Sequence, residues 1–116
     1  KTMVYKIANE INYKEIIIPQ RIINRAPSAE LSKNQIDQDS LPEYEVLDKI
    51  IDLHIEKNFS EKDLIKFGFS AKLVKKVVKL IKNNEFKRRQ SAPGPKITSK
   101  AFGKDRRYPI TNKFQL

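Results

Sequence analysis

Three consecutive cations, Lys87-Arg88-Arg89, stand where a strongly periodic helical pattern ends. Behind them runs a segment broken by Pro93, Gly94, Pro95, Gly103 and Pro109, with a second basic pair at Arg106-Arg107. Lysine offers a point charge and arginine a planar fork of donors, and both match phosphate oxygens. A helix ending in clustered cations and entering a stiff, glycine-punctuated tail is suited to holding an anion.

Other residues with chemical capacity point less far. His54 is the one histidine and there is no cysteine, so a metal site built on these ligands is not expected. A packed or edge-exposed imidazole is the default reading. Glu30, Asp37 and Asp39 lie on a polar stretch and have oxygens suited to Mg²⁺, but such carboxylates more often keep a loop solvated. Tyr108 and Phe114, set among the tail cations, suit either base stacking or anchoring of the tail.

The elements that must position these groups follow from composition and period. The 116 residues are 39% hydrophobic and 33% charged, enough for one small domain with a modest core. No apolar run approaches the roughly 18 residues that span a membrane, and the absence of cysteine fits a cytosolic origin. Charge is uneven: residues 1–71 hold 10 Lys/Arg against 12 Asp/Glu, net −2, whereas residues 72–116 hold 14 against 2, net +12. Lys72, Lys75, Lys76, Lys79 and Lys82 fall between apolar positions at helical spacing and read as the solvated face of one helix.

Thr2–Asn12 is predicted helical, with Thr2 as N-cap and Val4, Ile7, Ala8 and Ile11 on one face. Pro19, as the first residue of a short helix, follows the apolar run Ile16-Ile17-Ile18. Residues 25–42 form a long polar loop. Glu43–Lys57 reads as an amphipathic helix, and Ser60 with Asp63 as a capping box opening a short helix that stops at Gly68. Ser70 caps the longest helix, predicted to run to about Arg88 with Leu73, Val74, Val77, Val78, Leu80 and Ile81 inward. From Ser91 onward no helical period remains. The expected class is therefore a mostly α-helical chain with an irregular C-terminal tail.

Three blocks in order resemble the glutamine-dependent NAD synthetases: Lys1-Thr2-x-Val4-Tyr5; RAPSAELSKNQIDQDSLPEYEVLD at 25–48; and EFKRRQSAPGPKITSKAFGKDRRYPITNKF at 85–114. The resemblance spans essentially the whole chain and implies that residues 1–116 are a C-terminal segment of the synthetase domain. The parent domain would be α/β, of the adenine-nucleotide α-hydrolase (Rossmann-like) type. It would adenylate the carboxylate of deamido-NAD with ATP and Mg²⁺, after which ammonia from glutamine displaces AMP. The resemblance further implies a cytoplasmic homo-oligomer acting on neither nucleic acid nor membrane.

Carried over residue by residue, the resemblance makes Lys87 a contact to deamido-NAD and Ser28 a contact to ATP. Phe86 stands where the ammonia-dependent relatives have histidine, so no polar contact is expected there. Arg88 and Arg89 become candidate phosphate neighbours, with a salt bridge inside the domain as the equal alternative. The glycines Gly68, Gly94 and Gly103 are isolated and cysteine is absent, so neither the family's phosphate loop nor its glutaminase nucleophile lies in this chain. The chain alone is expected to be inactive. Two further readings stay open on sequence: a small basic nucleic-acid-binding module using Lys72–Lys113, and a separately encoded subunit completing another chain's site.

Overall fold

The computed structural model describes residues 1–100 and 102–111. Phe114, considered above as a stacking or anchoring ring, lies outside the described residues. Helices dominate, and among the described residues the only β-type pairing is one isolated bridge between Phe102 and Arg106. The chain divides into two units, Lys1–Asp48 and Lys49–Leu116.

The first unit holds α1 (Thr2–Ile11), α2 (Gln20–Asn24), a 3-10 turn (Asp37–Asp39) and the start of α3 (Tyr44–Ile51). Thr2 is the first residue of α1 rather than its cap: Lys1 occupies the N-cap, without a side-chain hydrogen bond. The Thr2 amide and hydroxyl instead both donate to Asp48 Oδ2, at 2.7 and 2.8 Å. That carboxylate satisfies an orphan helix-start amide from 46 residues away. Pro19 likewise caps α2 from outside instead of opening it. The run before it is extended because the Asn12 side chain serves as its partner. Asn12 Oδ1 accepts from the amides of Ile17 and Ile18, and its Nδ2 donates to the Ile18 carbonyl. Val4, Ile7 and Ile11 of α1 remain exposed.

The second unit has the core. Ile50, Leu53, Ile55, Leu64, Val74, Val77, Val78 and Ile81 are buried. The helix expected over 43–57 is in fact α3 followed by a π-helical turn at Asp52–Glu56, in which the Lys57 amide reaches the Asp52 carbonyl at 3.2 Å. Leu53, His54 and Ile55, three consecutive residues of this turn, are all buried. Asn58 at φ 59 ends the turn in the left-handed region that asparagine tolerates.

Then come α4 (Glu61–Lys66) and α5 (Ala71–Asn83). The box at Ser60 forms as its spacing predicts: Ser60 Oγ accepts from the Asp63 amide and Asp63 Oδ2 accepts from the Ser60 amide. Gly68, at φ 117, makes the turn after α4 that a residue with a Cβ would strain to adopt. On α5 the buried positions are Val74, Val77, Val78 and Ile81, while Leu73 and Leu80 flank them half-buried. Lys72, Lys75, Lys76, Lys79 and Lys82 are all exposed, as the periodicity predicts. The helix expected to reach Arg88 breaks at Asn84, whose backbone leaves helical geometry and whose Nδ2 donates back to the Leu80 carbonyl at 2.8 Å. A separate short helix, α6 (Glu85–Gln90), follows.

His54 is buried and both ring nitrogens are engaged. The Phe59 carbonyl, which can only accept, takes Nδ1–H at 2.7 Å, leaving Nε2 to accept from the Tyr108 hydroxyl at 3.3 Å. Burial foremost holds the imidazole below its ordinary pKa of 6.5; Phe59 O and Glu61 oppose this, and Arg106 and Lys82 reinforce it. Above 6.5 the ring is neutral folded or unfolded; as pH falls below that, the unfolded chain takes the proton first, so stability drops until the folded pKa is passed. A urea-melt series across this acid window should show that slope, and His54→Leu should flatten it. Ser70 Oγ accepts from the Leu73 amide at 3.3 Å, so Ser70→Ala should cost about 1 kcal/mol and Ser70→Gly only a few tenths, read in the same melts.

Candidate functional site

The three cations singled out by sequence share α6, with Glu85 as its first residue. Glu85 is fully buried and, with His54, is one of two buried polar residues among those described. Its Oε2 accepts from Arg88 Nη2 at 2.9 Å and Nε at 3.3 Å. Its Oε1 is buried without a hydrogen bond, the nearest cation being Arg89 Nε at 3.5 Å. Burial works to raise the Glu85 carboxyl, and Arg88, the Tyr108 amide and Arg89 together outweigh it and hold it below the usual range.

Arg88 is mostly buried. Besides Glu85 it reaches the Ile81 carbonyl in the last turn of α5, and its guanidinium lies 4.7 Å from the centroid of the Phe102 ring. Gly103, at φ 103, packs against the Arg88 stem, where an added Cβ would meet Arg88 Cβ at 3.6 Å. Arg89 is more exposed and adds a long bond, 3.4 Å, from Nη2 to the Tyr108 carbonyl. Of the two alternatives that sequence left equal for Arg88 and Arg89, the internal ion pair is the one this geometry displays. Lys87, between them and Glu85, is exposed and has no ion pair or side-chain hydrogen bond among the described residues.

Beyond α6 the described residues of the tail form no helix and no strand longer than the Phe102–Arg106 bridge, yet they are tied down by polar contacts. Glu56 accepts from the Thr98 hydroxyl, the Ser99 hydroxyl and the Lys100 amide at 2.8, 2.6 and 2.8 Å. The Ser99 hydroxyl chiefly, with Thr98 and Lys100, holds that carboxyl below its ordinary range against the opposing effect of burial. Lys100 Nζ donates to the carbonyls of Ile55 and Glu56 and to Asn58 Oδ1, and Arg106 Nη1 donates to the His54 carbonyl and to Asn58 Oδ1. These cations sit where the π-helical turn leaves carbonyls unpaired and the helix end is negative. Lys96 pairs with Asp105 at 2.7 Å. Much of the tail's positive charge therefore meets the protein's own anions and carbonyls. Tyr108, through His54, acts as an anchor.

Ser28 belongs to the first unit. Its Oγ accepts from the Glu30 amide at 3.0 Å, a local turn that leaves its hydroxyl proton undirected among the described residues. The loop holding it is braced. The Asp37 amide donates to the Pro27 carbonyl at 2.9 Å, and the Asp37 carboxylate accepts from the Tyr44 hydroxyl. Burial, then Asp37, pushes the Tyr44 phenol up to about 12. Asp39 accepts from the Ile36 amide and Glu30 pairs with Arg25, so each of the three loop carboxylates has an internal partner. No group of three or more His, Cys, Asp or Glu suited to a metal ion occurs among the described residues.

Sequence reasoning passed over Glu85, Glu56, Phe102 and Gly103. Glu85 with Arg88 and Arg89 had a readable signal, since acid and base at i,i+3 and i,i+4 face each other on a helix. The Glu56 contacts join residues more than forty apart and leave no local trace.

A family model described as NAD synthase matches residues 1–91. The glutamine-dependent NAD(+) synthetase of Aquifex aeolicus is 52% identical over 114 residues, 98% of this chain and 20% of the relative. That of Acinetobacter baylyi is 49% identical, over 97% of this chain and 21% of the relative. Among solved structures, the glutamine-dependent NAD+ synthetase from Acinetobacter baumannii in complex with adenosine diphosphate superposes with a TM-score of 0.59 at 42% identity, covering 97% of this chain and 19% of that one. The chain thus spans about a fifth of the length of the relatives it matches. With residues 1–91 matched by the family and half of its positions identical to a relative's, the chain belongs to the NAD synthase family.

Proposed function

We propose that this chain forms part of an ATP-dependent, amide-forming ligase that makes NAD from deamido-NAD, and that it supplies substrate contacts rather than reacting groups. The carrying observation is Lys87: a cation at the end of α6, left without an internal partner while both its arginine neighbours have one. In this reading Lys87 contacts deamido-NAD and Ser28 gives its undirected hydroxyl proton to ATP. The ADP named for the Acinetobacter baumannii relative supports a nucleotide as ligand. Arg89, more loosely held than Arg88, is the arginine better able to turn toward a phosphate.

The proposed chemistry has a simple physical basis. A carboxylate is a poor acyl donor, so the nicotinate oxygen attacks the α-phosphorus of ATP and pyrophosphate leaves. The resulting mixed anhydride yields to ammonia, which forms the amide and releases AMP. Fixed cations stabilise charge developing on the phosphates, and Lys87 would hold the dinucleotide in place for that attack. No group of three or more His, Cys, Asp or Glu suited to a metal ion occurs among the described residues, and in this reading the Mg²⁺ that accompanies ATP is held mainly by parts of the enzyme outside residues 1–116. The surrounding Rossmann-like domain, the homo-oligomer and the cytoplasmic setting belong to the same proposal.

In the full-length enzyme, Lys87→Ala should weaken deamido-NAD about ten- to a hundredfold, since a charge-assisted hydrogen bond is worth about 1.5–3 kcal/mol. Lys76→Ala, on the solvated face of α5, should leave binding near wild type. Equal, small losses in both would mean a diffuse positive field, and the nucleic-acid reading would return with a salt-dependent binding assay. The 116-residue chain alone, given ATP, Mg²⁺, deamido-NAD and ammonia, should form no NAD above a protein-free control. Turnover co-purifying with it would defeat the reading.

A further inference from the structure

We propose that Glu85 is the positioning residue of this site: its buried carboxylate fixes α6 against the tail and thereby sets where Lys87 presents its charge. The inference rests on the substrate role proposed for Lys87 and adds what holds that lysine in place.

An acid beside a site for an anionic dinucleotide is unfavourable unless its charge is compensated. Glu85 is compensated by two arginines from its own helix, at i+3 and i+4. Its complete burial keeps it from touching a ligand, so its effect must pass through its partners. Those partners reach every neighbouring segment. Arg88 joins Glu85 to the Ile81 carbonyl of α5 and stacks on Phe102 of the tail. Arg89 joins it to the Tyr108 carbonyl. Tyr108 in turn meets His54 in the core.

The geometry also explains why α6 exists as a separate element. A six-residue helix is too short to hold itself, and the helix before it ends at Asn84. The break at Asn84 lets α6 leave the line of α5, and the Glu85 carboxylate ties α6 back to it through Arg88. Lys87 lies between the acid and its two bases, so its backbone is fixed on both sides. Gly103 completes the arrangement, because its φ of 103 is a backbone conformation that a residue with a Cβ would strain to adopt, and it brings the tail alongside the Arg88 stem.

The test uses the full-length enzyme and two readouts, steady-state kinetics and amide exchange. Glu85→Gln keeps the side-chain volume and removes the charge. It should raise KM for deamido-NAD roughly tenfold or more while leaving KM for ATP within about twofold, the pattern of lost binding at one substrate. Amide exchange over residues 102–108 should quicken with it. Lys87→Ala should raise the same KM without altering that exchange. Phe102→Leu leaves the Glu85–Arg88 pair intact and removes only the ring beside the Arg88 guanidinium; it should quicken the same exchange, which covers the case where Glu85→Gln folds poorly, and wild-type exchange in it would overturn the proposal. Wild-type exchange and KM in Glu85→Gln would overturn the proposal, as would equal rises in both KM values. A silent Lys87→Ala alongside quickened exchange in Glu85→Gln would instead overturn the substrate role of Lys87, and with it the claim that Glu85 positions a substrate contact.

Discussion

A carboxylate removed from water resists folding by about several kcal/mol unless cations and donors replace its hydration, and Glu85 is such a carboxylate, fully buried in the second unit. Its compensation dictates much around it. Arg88 must approach edge-on, which draws its guanidinium under Phe102 and its stem against Gly103. Arg89 must lean the same way, which brings the Tyr108 carbonyl into reach. The core of α4 and α5 would pack without these contacts, but the tail has no buried apolar residue among those described to hold it there. Order in the tail is therefore electrostatic and hydrogen-bonded rather than hydrophobic.

The same logic recasts the charge imbalance of the chain. An excess of cations in the last third reads from sequence as a surface awaiting a polyanion. In the folded chain those cations fall into two populations. Lys100, Arg106, Arg88 and Arg89 answer carbonyls and carboxylates of the protein itself, while the α5 lysines face solvent with no ion pair among the described residues. Lys87 shares its exposure and lack of an ion pair among the described residues with the α5 lysines, but it stands on α6 beside Glu85, Arg88 and Arg89. Position, more than charge, separates it from its neighbours.

How far the sequence could be read depends on the range of the interaction concerned. Ser60, Ser70 and Gly68 act within three or four residues, and their roles follow from spacing alone. The exposed face of α5 follows from period. Thr2 was misjudged because its partner, Asp48, is 46 residues distant, and a helix-start threonine with such a partner need not cap anything. The break at Asn84 falls at a residue whose own Nδ2 returns to the Leu80 carbonyl, a capping contact that the apolar period of α5 does not register. For the site, Lys87 and Ser28 came from resemblance to a family, and composition gave no means of preferring Lys87 to the lysines of α5. The family assignment rests on identity across nearly the whole chain, and the roles proposed for Lys87 and Ser28 rest on the resemblance.

The π-helical turn at Asp52–Glu56 carries one more implication. An inserted residue in a helix rotates everything beyond it by roughly 100° relative to an uninterrupted α-helix. Here the rotation aims the carbonyls of His54, Ile55 and Glu56 at the incoming tail, where Lys100 and Arg106 collect them. Removing one residue from this turn would leave the composition, the charge and the apolar content nearly untouched. It would nevertheless swing the receiving carbonyls away and strand two cations without acceptors. The length of that single turn is thus a register mark for the whole C-terminal third, and relatives that share the tail's attachment should share the turn's length even where its side chains differ.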